Sequence, residues 1–163
     1  MVTAMVTQRR GQAAFTLIEL MITLAILVIL TTLAVPGFNG YISNQRVKSA
    51  AYDLIATFNY ARSEAVKRNE PVTISADASD WSNGWAITAG GKTLQTYEAD
   101  NSVSIAESNS QFSITYKGNG RLSNSTKPAV TICDPNLSSS VTKRVIHLDL
   151  TGRPNLKKDG ACA

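Results

Sequence analysis

Residues 15–35, FTLIELMITLAILVILTTLAV, form a nearly unbroken apolar run near the N-terminus, and its one charged residue is Glu19 on the first turn. As a helix rising about 1.5 Å per residue, a run of 21 residues spans a hydrocarbon core of roughly 30 Å. A secretory signal peptide has a shorter apolar region without an acid, and a small-residue cleavage site behind it. Here a polar leader, MVTAMVTQRRGQAA with Arg9 and Arg10, comes before the run, so the run itself is built to be kept. An acid inside a membrane helix costs about 2.5–3.5 kcal/mol at mid-bilayer and less towards the end. Glu19 therefore calls for a partner.

Beyond the run, Pro36-Gly37 interrupts the hydrophobic pattern, and helical spacing resumes in a different chemical register. Val47, Ala51, Leu54, Phe58, Ala61 and Ala65 step by alternating fours and threes, an apolar stripe that predicts one face packed on a sheet. Glu64 and Arg68 form a favourable i,i+4 pair. Pro71 disfavours helix at Glu70, so one long helix over about 15–69 should stop near Asn69.

After Pro71 the chain reads as strands and turns. Short β-rich runs cover 72–75, 85–89, 93–97, 103–106, 112–117, 129–133 and 144–150. Asn83-Gly84, Gly90-Gly91, Gly118-Asn119-Gly120 and Asp134-Pro135-Asn136 supply turn chemistry between them, and Gly90-Gly91 predicts a hairpin. The fold class is α+β: one long N-terminal helix, hydrophobic in its first half, laid on antiparallel sheet. The expected divisions are a leader at 1–14, a membrane or filament-core helix at 15–35, an amphipathic half at 36–69, and a β-rich domain at 70–163.

Phe15-Thr16-Leu17-Ile18-Glu19-Leu20 after a short basic leader resembles the processing signal of type IV prepilins and type II secretion pseudopilins. The resemblance implies that a prepilin peptidase cuts between Ala14 and Phe15 and methylates the new amine. Glu19 would then serve assembly by neutralising the Phe15 amine of a neighbouring subunit, and Pro36-Gly37 would loosen the helix. The family usually has Gly before the cut. This chain has Ala14 there, with Gly11 three residues upstream, and cutting after Gly11 would put Glu19 too far from the new terminus. Tyr60-Ala61-Arg62-Ser63-Glu64-Ala65 with Pro71-Val72, Phe112 through Gly120-Arg121, and Gly152-Arg153 are similar to the GspH/FimT group, which includes secretion pseudopilins and minor pilins.

Three functions stay open at this level. One is a minor pilin at or near a pilus tip that primes assembly and supports twitching, adhesion or DNA uptake. Another is a DNA-binding pilin for natural transformation. The third is a pseudopilin of a type II secretion system. The implied partners are other minor and major pilins, the prepilin peptidase and an inner-membrane assembly platform. Before assembly the chain would sit in the bacterial inner membrane with a periplasmic C-terminal domain, and afterwards in the fibre.

Cys133 and Cys162 are the two cysteines, and an even count in an exported domain favours a disulfide that ties back the C-terminal tail. Full-chain net charge is +4, unevenly spread: residues 70–109 hold six acids against Lys92, and residues 110–163 hold eight bases against three acids. Such a split can steer neighbouring subunits or an anionic ligand. DNA-binding members of the group carry Gly-Arg-x-Arg near the C-terminus. Gly152-Arg153-Pro154-Asn155 matches its start without the second Arg, while Lys143, Arg144, Lys157 and Lys158 keep positive charge nearby. The expectation is weak, non-specific and salt-sensitive DNA binding.

No catalytic constellation is visible. His147, the single histidine, lies in a strand two residues before Asp149, and no nucleophile elbow, phosphate loop or metal spacing accompanies it. The chain is expected to be no enzyme and to need no cofactor and no metal.

Overall fold

The computed structural model describes residues 15–123, 126–137 and 141–162, and the side chains there except those of 33–37 and 137. The leader with Ala14 lies outside the described residues. A single helix, α1, Leu17–Arg68, runs through Pro36 and Gly37, as expected of the one long helix over about 15–69. The chain divides between Phe38 and Asn39 into two compact units.

In the first unit every described side chain is exposed, the large hydrophobic ones from Phe15 at 86% to Leu24 and Ile26 at 52%. No helix of the described residues is by itself long and apolar enough to cross a membrane. Described side chains of the apolar run stop at Thr32, whereas in the sequence the run continues to Val35.

In the second unit, helix and sheets share one core. The strands are β1 Val72–Asp77, β2 Asp80–Ala89, β3 Lys92–Tyr97, β4 Ser104–Glu107, β5 Ser113–Tyr116, β6 Ala129–Cys133, β7 Thr142–Leu148 and β8 Pro154–Ala161, with a short 3-10 turn at Pro135–Leu137. They form two four-stranded antiparallel sheets, ordered β3-β2-β1-β5 and β4-β6-β7-β8. The predicted stripe is the helix side of this core: Val47, Ala51, Leu54, Phe58, Ala61 and Ala65 are all fully buried. The sheets answer with alternating residues, Val72 and Ile74 on β1, Val130 and Ile132 on β6, Ile146 and Leu148 on β7.

The end of α1 follows from local chemistry. Asn69 takes a left-handed conformation (φ 53), its N–H donates to the Val66 carbonyl, and the Glu70 N–H donates back to Ala65. Both orphan carbonyls are thereby satisfied in the Schellman manner. The Glu64 carboxylate accepts from Arg68 Nε at 2.7 Å and from Lys67 Nζ at 3.4 Å, which holds it below its ordinary value.

Two turns depart from expectation. Gly90-Gly91 (φ 54 and 76) does close the β2–β3 hairpin, with Ala89 opposite Lys92. Asn83-Gly84, however, is no turn: both lie inside β2, where Gly84 (φ 117) lets the Tyr97 carbonyl approach the space a Cβ would fill. The β1–β2 reversal falls instead at Ala78-Ser79, both left-handed (φ 46 and 61), between the partners Asp77 and Asp80. Ala78-Ser79 offers neither of the Gly or Asn residues that usually take left-handed turn positions, so the reversal has no local signature and β2 starts at Asp80, ahead of the expected run at 85–89. The C-terminal tail is also corrected. Residues beyond the Gly152-Arg153 turn are strand β8, paired along β7.

Candidate functional site

The processing signal opens α1 as a capping box. Thr16 Oγ1 accepts from the Glu19 N–H at 3.2 Å, and Glu19 Oε2 accepts in return from the Thr16 N–H and hydroxyl, each at 3.2 Å. The helix therefore starts where Glu19 reaches back over its own first turn. This local use of Glu19 has a sequence signal of its own, Thr-x-x-Glu ahead of an apolar run, separate from the intersubunit role that the resemblance implies. The box uses Oε2, and Oε1 has no partner among the described residues. A carboxylate built this way has a defined direction and retains an oxygen for a cation from outside.

The second group of predicted residues lies at the C-terminal side of the domain. Cys133 and Cys162 are bridged, with their Cα atoms 5.6 Å apart. Beside the bridge, buried Asp134 accepts from the Ser43 hydroxyl, and Asn44 Oδ1 accepts from the Thr142 N–H at 3.0 Å. The same corner thus ties β6, the start of β7 and the end of β8 to the first turns of α1 in this unit. At the other end of β7–β8, the Tyr116 hydroxyl donates to the Gly152 carbonyl at 3.2 Å, and Gly152 (φ 81) is packed against the Tyr116 ring. Burial pushes the Tyr116 phenol well above its ordinary value.

Strand alternation separates the basic residues that the sequence brings together. Arg144 shares a face of β7 with Ile146 and Leu148, and its register partner is Lys158. It is only 8% exposed, and among the described residues its Nε is the one buried side-chain polar atom without a hydrogen-bond partner. Lys157 is opposite Val145 on the other face, beside exposed His147 and its partner Asn155. Lys143 Nζ is paired with Asp159 at 3.4 Å. Arg153 sits in a turn organised by Asp149, whose Oδ1 accepts from the Thr151 hydroxyl at 2.5 Å and the Arg153 N–H at 3.0 Å. These bonds hold the Asp149 carboxyl below its ordinary value and place a negative charge beside Arg153. Of the five basic residues proposed for DNA, Arg153, Lys157 and Lys158 remain exposed and, among the described residues, outside any ion pair.

Asp149 is therefore committed to its turn, and among the described residues no hydrogen bond joins it to His147. Among the described residues no group of three or more His, Cys, Asp or Glu side chains is placed to hold a metal ion.

Comparison with known proteins gives three findings. Residues 50–152 match the family described as type II transport protein GspH, and residues 9–35 match the prokaryotic N-terminal methylation motif. Among curated proteins, none matches the chain. The fold is similar to that of the type IV minor pilin FimU of Pseudomonas aeruginosa in two crystal forms. One form has a TM-score of 0.61 and 28% identity over 71% of this chain and 99% of that one. For the other the TM-score is 0.63 and the identity 27%, over 76% of this chain and 99% of that one.

Proposed function

Because the chain belongs to the GspH family of type IV minor pilins and pseudopilins, we propose that it is a minor pilin at or near the tip of a type IV pilus, where it helps prime assembly. The likeness to FimU over nearly the whole of that chain carries the choice of pilus over secretion system. In this role the chain waits in the bacterial inner membrane with its domain in the periplasm, held by its apolar helix. A prepilin peptidase removes the leader after Ala14 and methylates Phe15. The helix then leaves lipid for the filament core, docking on other minor and major pilins through the assembly platform. Pro36 and Gly37 would ease the bending of the helix during that transfer. Twitching, adhesion and DNA uptake are the activities such a tip serves.

Glu19 supplies the docking chemistry. The Phe15 amine is a cation entering an apolar setting, and a carboxylate with a free oxygen can neutralise it. Unpaired charges there cost several kcal/mol, so pairing both favours and registers docking. A pseudopilin would use the same chemistry with different neighbours, and a pull-down with each set separates the two. DNA capture is the weaker reading, since Arg144 is withdrawn from the surface and Lys143 is paired.

Two measurements test the proposal. Intact mass spectrometry of the membrane-extracted protein should give an N-terminus at Phe15 carrying one methyl group. A species retaining Met1 in peptidase-competent cells would refute it. Glu19→Ala should leave the globular domain folded while impairing incorporation into filaments, and normal incorporation would remove the pairing role.

A further inference from the structure

Strand pairing sets two cations opposite each other on one face of the second sheet, with no anion to serve them. Arg144 on β7 and Lys158 on β8 are register partners, on the face that also carries Ile146, Leu148 and half-buried Leu156. Side chains directly opposite on neighbouring strands stand about 5 Å apart at Cβ, and like charges there repel. Arg144 is only 8% exposed and makes no hydrogen bond or ion pair among the described residues. Of its guanidinium nitrogens only Nε is wholly buried, so the terminal pair keeps the contact with solvent. The acids adjoining these strands are engaged elsewhere. Asp134, just past β6, accepts from the Ser43 hydroxyl and the Asn136 N–H, and Asp159, next to Lys158, pairs with Lys143. A cation withdrawn from water without a partner is costly, and the cost is relieved when an anion from outside meets it.

We propose that Arg144 and Lys158 form a seat for a carboxylate side chain of a neighbouring pilin of a different kind. The seat rests on the reading of the chain as a subunit that docks on other pilins. The guanidinium presents its terminal nitrogens as paired donors to one carboxylate. Exposed Lys158 beside it draws the acid in and adds a further contact. A carboxylate on a flexible stem can reach a guanidinium set back from the surface, whereas the phosphate backbone of duplex DNA is met by protruding cations. The two other exposed cations of this region do not join the seat. Lys157 turns to the opposite face of β8, and Arg153 lies in the turn organised by Asp149. Seating an acid gives Arg144 the partner it lacks in the single chain and offsets the repulsion across the strands. It takes no bond away from the folded domain.

The test uses pili sheared from cells that make the full chain, treated with a zero-length carbodiimide and read by mass spectrometry. Lys158 should be joined to an Asp or Glu of another pilin, at a yield several-fold above that of Lys157 on the opposite face. Arg144→Met should cut the Lys158 links several-fold, since the guanidinium orients the acid. In the purified mature chain the same substitution should leave the melting temperature unchanged or raise it, because it removes a buried charge that has no partner. A lowered melting temperature would mean that the guanidinium serves the fold, and would overturn the seat. So would Lys158 links that persist in Arg144→Met, equal links at Lys157 and Lys158, or links only within one chain. Excess duplex DNA that protects both lysines alike, where no pilin link forms at Lys158, would assign the strand to nucleic acid and overturn it as well. The chain's presence in the pili is read separately by immunoblot. Its absence would overturn the pilin reading, whereas presence without Lys158 links removes the seat alone.

Discussion

The two halves of α1 have the same backbone and opposite environments. In the first, apolar residues follow one another without a polar face: Leu24, Ile26, Leu27, Val28 and Ile29 turn through every direction around the axis, and each is more than half exposed in the single chain. The second half restricts its buried apolar residues to a stripe recurring every three or four positions, and that stripe is completely buried by the chain's own sheets. One sheet packs only one side of a helix, so a striped helix completes a domain from within. A helix apolar all round is satisfied only by surroundings on all sides, from lipid or from other helices. The first half is left exposed in the single chain, and the second is already a core.

Truncations in the two halves should differ most. Phe58→Ala removes a fully buried ring and should destabilise the domain by about 3–5 kcal/mol, read by denaturant unfolding monitored through Trp81 and Trp85. Leu24→Ala should leave that transition within about 0.5 kcal/mol and act only on membrane retention or filament packing. An equal loss from both would mean that the halves share one cooperative unit.

Next in size is the bridge. Cys162→Ser should cost about 2–4 kcal/mol, given the sequence separation of 29 between the cysteines. It should free β8 first, while far-UV dichroism still reports the helix. Thiol labelling of denatured wild-type protein that found two reactive groups would contradict the bridge itself.

The smallest effect belongs to the helix end. Glu64 is held below its ordinary value of 4.5, chiefly by the Arg68 hydrogen bond. A carboxyl depressed in the folded state contributes fully above the unfolded value, and that contribution is lost as pH falls through the lower folded one. Glu64→Gln should therefore flatten the acid limb of stability below about pH 4.5, with no change in pH dependence near neutrality. An unchanged acid limb would show that the Arg68 pair adds nothing to folding.

Much of this was legible because it is local. The stripe from Val47 to Ala65, the stop at Asn69, the Gly90-Gly91 hairpin and the Ala129–Cys133 strand are written in spacings of two to four residues. Each needs only a backbone period, a cap or a turn residue to be read. The Thr16–Glu19 box is equally local, a signal three residues long.

By itself, the sequence determined where the chain is helical, which face of that helix is greasy, which half has no partner of its own, and the processing signal at its start. Tertiary structure alone decided how the β-half is assembled. Ala78-Ser79 turns left-handed because β1 and β2 must pair on either side of it, and Asn83-Gly84 stays in a strand because the Tyr97 carbonyl crosses there. Residues 154–161 become β8 because β7 offers them an edge. Whether a lysine or arginine reaches solvent depends on the same pairing: a strand turns successive side chains to opposite faces, and a distant partner decides which face is covered. On β7, Arg144 lies with Ile146 and Leu148 on the buried face while its neighbour Lys143 turns the other way and pairs with Asp159, although both stand in one basic segment of the sequence.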